Sequence, residues 1–425
     1  MSRPGSISVS VDRLRPGTVC SHPIEDASGI LLLGSNTRIT TRVIDGLRDR
    51  GVHSIEIDPS DLDRLTGNGH PKTATTKGRS SKGESNEPCF SSVWVPNVAV
   101  KDLLVDRIDE PLSDKRIETL HKGVAAAKKR FDQLEQIILD HQVHSISGFA
   151  TISDAYARSM VDDHDQTVGV MGVLSHGNND LRQRAVCLSV LGMSIAIEMG
   201  LDGPATLDVG LAGLLHDVGL MLMPKRFSDQ TSSLSDEERW EYSKHPLMVN
   251  DCLANLRDIS SAVQIAIQQV HEQYDGSGFP RALRGPRIHL YARILNVADA
   301  YLQLTSASTN RCAILPHDAL GVILHHAARG IFDPQAVHAF LKVETMFPLG
   351  SNVELKNGEQ ATVIRRSPAG YATPIVVDSQ GERIAVTESN PIVRPLPSTR
   401  VEEMRIPVSR MQTIEWNLAE QTLLI

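Results

Sequence analysis

Three histidines and two aspartates recur in four short segments: His216-Asp217, His245 within KHP, His271 within VHEQYDGSGFP, and Asp299 within ILNVADAY. Imidazole nitrogens and carboxylate oxygens form a mixed N/O donor set. Such sets suit iron, manganese or zinc rather than calcium. Singly, each residue has an ordinary explanation. A lone histidine is more often a satisfied core residue, and Asp299 could cap a turn or pair with Arg293. The stretch Leu214–Leu220, LLHDVGL, is less ordinary, because it sets a His-Asp pair directly behind a run of leucines. Burying an ionised carboxylate without a partner is strongly unfavourable. Either hydrogen bonds satisfy the pair or it holds a metal ion.

The segments that must carry these residues are helical. Between residues 180 and 345, AVCLSVLGMSIAIEMGL, DVGLAGLLHDVGLMLM, SSAVQIAIQQVHE and YARILNVADAYLQL all repeat apolar residues at helical spacing, which predicts an all-α bundle. Aromatic residues make up only 4% of the chain, so Leu, Ile, Val and Ala must fill its core. Upstream, residues 113–141 read as one long helix. Ile117, Leu120, Val124, Ala127, Phe131, Leu134 and Ile138 alternate spacings of three and four. That stripe fits either a coiled-coil seam, and so a homodimer through this helix, or packing on its own domain.

The flanks differ in pattern. In residues 1–65, ISVSV, GILLLGS and HSIEID read as strands, with a helix over Thr40–Arg50 that Gly51 stops. Residues 66–88 are polar and rich in Gly, Ser, Thr and Lys, the composition of a flexible linker. Residues 89–179 form a helical lead-in to the bundle. Over residues 346–425, NVELKNGEQATVIRR, ATPIVVDSQGERIAV and NPIVRPL alternate like strands joined at Asn-Gly and Gln-Gly turns, a small β unit. No residue pattern decides whether that unit packs on the bundle or binds a partner.

The bundle sequence resembles the HD-GYP phosphodiesterases, a branch of the HD metallohydrolase superfamily, from about Leu181 to Val343. LLHDVG matches the HD signature. HEQYDGSGFP matches the second signature, with Phe279 where the family usually has tyrosine. His245-Pro246, ARILNVADAY, LTSASTNR and the FDP at Phe332–Pro334 match as well. The resemblance implies a mainly α chain: an HD-type helical bundle over 180–345, flanked by a small N-terminal α/β unit and a small C-terminal β unit. It also implies hydrolysis of cyclic di-GMP, to the linear dinucleotide or GMP, at a divalent metal centre of two ions (Fe, Mn or Zn). Asp217 would bridge the two ions. His216 and Asp299 would hold the first, His245 and His271 the second. Asp217 and Arg293 would take part in catalysis, and Arg184, Asp275, Gly276, Gly278, Phe279, Pro280 and Arg311 would meet the substrate.

Three positions depart from the family pattern. Arg184 stands where an additional histidine is expected, Leu220 where a lysine follows HD-x-G, and Val270 where His271 should have a histidine neighbour. Each ion would lose one imidazole and keep three ligands, with Asp217 counted twice, which is enough for a catalytic site with open positions. Arg184 is the harder problem. A guanidinium about 4 Å from a divalent cation is repelled by roughly 8 kcal/mol at an effective dielectric of about 20. Arg184 must therefore swing aside to bind phosphate or to pair with Asp180, or the first metal is absent. Lys225 and Arg226, just past the HD segment, are further basic residues, with an exposed solvated pair as their plainer account. These departures leave an alternative: a catalytically impaired relative that binds the dinucleotide or a protein partner as an effector.

Composition narrows the rest. The 425 residues carry a net charge of −8 with no concentrated basic block, which disfavours duplex nucleic acid as a partner. Five scattered cysteines without a Cys-x-x-Cys pair disfavour a disulfide framework and fit a reducing compartment. The first residues, MSRPGSISVSVDRL, lack an apolar signal core, and no long uninterrupted apolar run predicts a membrane span. A cytoplasmic protein without membrane insertion is the expectation.

Overall fold

The computed structural model describes residues 7–14, 18–26, 31–33, 39–40, 43–44, 47–48, 52, 54–58, 61–66, 94, 96–139, 145–177, 180–224, 227, 234–253, 259–307, 312–398 and 401–411. It divides into two units, Met1–Asn86 and Glu87–Ile425.

The first unit holds strands β1 (Ile7–Ser10), β2 (Ile24–Glu25), β3 (Leu31–Leu33) and β4 (Ser54–Ile57), and a short helix α1 (Leu62–Thr66). The strands form an antiparallel sheet in the order β1-β4-β2-β3, with Ile7 opposite Ile57 and Val9 opposite Ile55. Period-2 alternation drives this register: it turns Val9, Ile55 and Ile57 onto one buried face. In the expected helix over Thr40–Arg50, residues 43–44 and 47–48 are described and helical, with Ile44 and Leu47 buried. Beyond Thr66, the expected linker lies outside the described residues.

The second unit opens with helices α2 (Asp114–Leu139), α3 (Ser147–Asp162) and α4 (His164–Ser175). Leu120, Val124, Ala127, Phe131 and Leu134 of α2 are buried in the unit's main core. These five residues of the α2 stripe pack inside the unit, the second of the two readings that its spacing leaves open. An amphipathic stripe covers whichever apolar face lies nearest, and here Phe149 of α3 sets its ring edge against Phe131.

Helices α5 (Leu181–Glu198), α6 (Gly203–Leu215) and, further on, α10 (Leu290–Thr305) form the centre of the bundle. Asp180 and Asp202 cap α5 and α6 by accepting bonds from the backbone N–H of Arg182 (3.0 Å) and Ala205 (3.1 Å). Every residue from Gln183 to Ile197 is buried, so α5 is apolar on nearly all sides, as a central helix must be. The stretch Gly203–Leu222 is long and apolar enough to cross a membrane, yet most of it is buried within the bundle. It reads as a core segment.

Around this centre lie α7 (Asp236–Tyr242), α8 (His245–Leu253), α9 (Ser261–Gln269), α11 (Pro316–Ala328) and α12 (Pro334–Glu344). A five-stranded antiparallel sheet follows, ordered β9-β5-β6-β7-β8, from β5 (Asn352–Leu355), β6 (Gln360–Arg365), β7 (Ile375–Val377), β8 (Arg383–Ile384) and β9 (Ile392–Leu396). This sheet packs on the helices. Val353, Leu355, Val363 and Val376 join the bundle's core. The buried guanidinium of Arg365 grips Asp163 with both terminal nitrogens, at 2.8 and 3.0 Å, a bidentate pair that fixes orientation as well as attraction.

A buried His/Asp cluster as a candidate metal centre

Four segments deliver the candidate ligands. Helix α6 ends at His216, and Asp217 starts a 3-10 turn over Val218–Leu222. His245 opens α8, His271 follows the end of α9, and Asp299 sits inside α10. All five side chains are buried, with Asp217 the most exposed at 7%. Asp217 lies at the centre. Its Oδ1 is 3.3 Å from His245 Nε2 and 3.5 Å from His271 Nε2, and those two nitrogens are 3.0 Å apart. Its Oδ2 is 3.1 Å from His216 Nε2. Asp299 stands at the edge, with Oδ1 4.0 Å from His216 Nε2 and Oδ2 4.0 Å from His271 Nδ1.

The imidazoles are held in one sense. His216 Nδ1 lies 2.8 Å from the Gly213 carbonyl, and His245 Nδ1 lies 2.7 Å from the Tyr242 carbonyl. A carbonyl only accepts, so both Nδ1 atoms donate, and each ring turns its Nε2 toward Asp217. This is the arrangement of metal-ligating histidines. Among the described residues, His216 Nε2, Asp217 Oδ1 and Asp299 Oδ1 are buried with no hydrogen-bond partner. Buried polar atoms are rarely left so. The ligand atoms of His216, Asp217 and His271 lie within 4.8 Å of one another. These residues fit a divalent cation.

Charge agrees with geometry. Burial works against the Asp217 carboxylate, but the neighbouring His216 holds it well below the usual range. Burial pushes His245 down, toward the neutral form that a ligand needs. For His216, burial favours the neutral ring, yet the Asp217 carboxylate outweighs it and raises the pKa.

Arg184 does not pair with the side chain of Asp180, which pairs with Lys128 at 2.5 Å. Its guanidinium is 5% exposed and places Nη2 2.9 Å from Asp217 Oδ2. One turn into α5, its side chain points into the bundle interior, where the cluster's carboxylates compensate its charge. Burial opposes that charge; Asp217 and Asp299 prevail and keep it. Leu220 and Val270 are core residues, each 1% exposed or less.

The DGSGFP loop closes one side. Phe279 stacks on His271, ring centroids 5.0 Å apart and 12° from parallel, and its backbone N–H donates to the His271 carbonyl at 3.1 Å. A Cβ on Gly278 would lie 2.2 Å from the Gln273 nitrogen and 2.5 Å from the His271 oxygen, so only glycine lets the loop press against the strand of backbone that carries His271. Asp275 accepts from the Ser277 N–H at 2.9 Å, Gly276 takes φ +87°, and the Phe279–Pro280 peptide is cis. Arg293 is tied elsewhere. It pairs with Asp333, and its Nε donates to the Ile288 carbonyl at 3.0 Å, so the turn option of an Arg293–Asp299 pair is not taken. Arg311, Lys225 and Arg226 lie outside the described residues.

Other residues support the cluster without having been singled out. Gln303 donates to Asp299 Oδ2 at 2.6 Å, one helical turn after it in sequence. Asn296 donates to the Val270 carbonyl at 2.9 Å and so steadies the end of α9. Glu272 is buried and accepts the backbone N–H groups of Arg281 and Leu283, both at 2.8 Å. Gly219, the glycine of HD-x-G, is where the chain passes His245: a Cβ there would sit 2.0 Å from the His245 carbonyl oxygen. The motif's spacing could have pointed to Gly219. Nothing local marks Gln303 or Asn296.

Known proteins are similar in this region. Residues 132–336 match the HD domain family. A cyclic di-GMP phosphodiesterase of Pseudomonas aeruginosa is 28% identical over 232 residues, 53% of this chain and 56% of that protein. A cyclic di-GMP phosphodiesterase response regulator of Xanthomonas campestris is 33% identical over 151 residues, 35% of this chain and 39% of that one. A 3'3'-cGAMP-specific phosphodiesterase of Vibrio cholerae is 27% identical over 160 residues, 38% of this chain and 37% of that one. The chain thus spans between about a third and somewhat over half of the length of these relatives. The His/Asp cluster falls within the matched region, and with it LLHDVG and HEQYDGSGFP: residues 132–336 are an HD domain.

Proposed function

We propose that this chain is a metal-dependent phosphodiesterase that opens a cyclic dinucleotide, with cyclic di-GMP as its substrate. One observation carries the reading: four segments remote in sequence bring five side chains together with Asp217 at the centre, and three of their buried polar atoms have no hydrogen-bond partner among the described residues. Three of the similar proteins' names and the HD domain match support the substrate class.

In this reading His216, Asp217, His245, His271 and Asp299 hold the metal centre, with iron, manganese or zinc as the candidate ions. When bound, a divalent cation lowers the pKa of its water and offsets charge on the phosphoryl oxygens. The chain's own residues do the rest. Tyr242 and Gly213 carbonyls fix the ring orientation of His245 and His271's neighbour His216. Gln303 orients Asp299. The loop from Asp275 to Pro280 borders the substrate side, Gly276 and Gly278 setting its path and Phe279 offering an aromatic edge to a base. Arg293 acts as a positioning residue through Asp333, and Arg311 is a candidate phosphate contact.

The test is chromatographic separation of products after incubating the chain with cyclic di-GMP and Mn²⁺. Conversion to the linear dinucleotide or GMP is expected, and His271→Ala or Asp217→Asn should lower it by about 100-fold or more, as the loss of several kcal/mol of charge stabilisation requires. Tight binding of cyclic di-GMP without turnover, under every metal tried, would sink the enzyme assignment.

A further inference from the structure

The Asp217 carboxylate has two oxygens, and the structure gives them different neighbours. Oδ1 has no hydrogen-bond partner among the described residues and faces His245 Nε2 and His271 Nε2 at 3.3 and 3.5 Å, with 3.0 Å between those nitrogens. Donor atoms bound about 2.1 Å from one ion stand roughly 3.0–3.5 Å apart, so this triad is already spaced for a cation. Oδ2 is engaged by the Arg184 guanidinium at 2.9 Å, beside His216 Nε2 at 3.1 Å. A carboxylate bridging two ions would have to offer Oδ2 to the second of them, at the place where Arg184 now stands.

Charge points the same way. Asp217 and Asp299 supply two negative charges, and Arg184 supplies one permanent positive charge, because guanidinium does not deprotonate in proteins. One divalent ion brings the cluster to +1. Two ions would bring it to +3 in a nearly dry interior, where like charges repel most strongly. Arg184 has no route to solvent that would relieve this: it is 5% exposed and held within α5. Its neighbours at the other departures agree. Val270 and Leu220 fill core positions with apolar groups and add no donor.

Resting on the metal-centre reading above, we propose that Arg184 stands in for one of the two cations, so that the centre takes a single divalent ion per chain, on the Asp217 Oδ1 side with His245 and His271. The guanidinium holds Oδ2 at 2.9 Å, and its own Nε is buried with no hydrogen-bond partner among the described residues.

The experiment loads the full chain with Mn²⁺ under anaerobic conditions, removes free ion, and measures manganese per chain by mass spectrometry alongside the electron paramagnetic resonance spectrum. The unaltered chain should hold one manganese per chain and show the hyperfine pattern of an isolated ion. His271→Ala should lose it. Arg184→His, which exchanges the guanidinium for an imidazole, should take up a second ion and show the spectrum of a coupled pair. Two ions in the unaltered chain, or a folded Arg184→His variant that stays at one, would overturn the proposal. If Arg184→His does not fold, the stoichiometry and spectrum of the unaltered chain still decide it. No manganese in either the unaltered chain or His271→Ala would instead remove the metal-centre reading, and the proposal with it.

Discussion

Arg184 and Asp217 are a buried pair whose members cannot be separated without cost. Removing one partner from such a pair leaves an uncompensated charge and destabilises by about 3–5 kcal/mol. Arg184→Ala should therefore lower the stability of the metal-free chain by that amount in urea unfolding with a chelator present. Saturating Mn²⁺ should then recover more stability in the variant than in the unaltered chain, because the cation takes over the task of compensating Asp217. Equal recovery in both would mean that Arg184 does not compensate the carboxylate. The same pair shows how a side chain's meaning depends on its surroundings. In an exposed first helical turn, an arginine four residues after Asp180 would pair with it; here Asp180 is occupied by Lys128 and by the α5 cap, and Arg184 turns inward.

Helices α6 and α8 bring their ligands together through one close backbone approach. Gly219 leaves room for the His245 carbonyl, which a methyl group would meet at 2.0 Å. Gly219→Ala must push α8 outward and shift His245. We expect a stability loss of about 1–3 kcal/mol, as for other overpacked sites, and a fall in Mn²⁺ affinity of about 10- to 100-fold, as for residues that orient metal ligands, both measured by calorimetry. Unchanged affinity would show that α8 has slack in its placement. Helix α2 makes the complementary point. Its stripe is regular enough to form a seam with another helix, yet α3, α4 and α5 of the same unit pack on it.

Across the whole second unit, the β sheet is held to the bundle by buried charge as well as by apolar packing. Arg365 grips Asp163, and Arg366 Nε reaches Asp165 at 2.7 Å. Nearby, a cavity of about 500 Å³ runs between the sheet and α4, lined by Tyr301, Leu349, Ile364 and Glu344 among others. Burial pushes the Glu344 carboxyl up from 4.5 to about 7, against the opposing pull of Arg366 and Tyr301. A carboxyl raised in the folded state binds a proton that the unfolded chain releases, so its stabilising effect is complete below about pH 4.5 and is lost as pH rises through about 7. Within that window each pH unit should cost up to about 1.4 kcal/mol. Urea unfolding of the metal-free chain across the window should show this slope, and Glu344→Gln should flatten it; an unaltered slope in the variant would assign the pH dependence to other groups.

Much of this protein could be read along the chain because it depends on local pattern. Period-2 and helical spacing placed β1, β4, α2 and the C-terminal strands, since burial of one face imposes those periods on any sequence that folds this way. His216, Asp217, His245, His271 and Asp299 could be picked out because ionisable residues inside apolar runs need a partner, and the LLHDVG and HEQYDGSGFP segments carried the family resemblance. Three-dimensional packing decided the rest. Which oxygen of Asp217 each neighbour takes, the inward turn of Arg184, the room that Gly219 leaves and the support from Gln303 and Asn296 all depend on distances between segments far apart in sequence. Periodicity reports which face of a segment is buried; it carries no information about what that face meets.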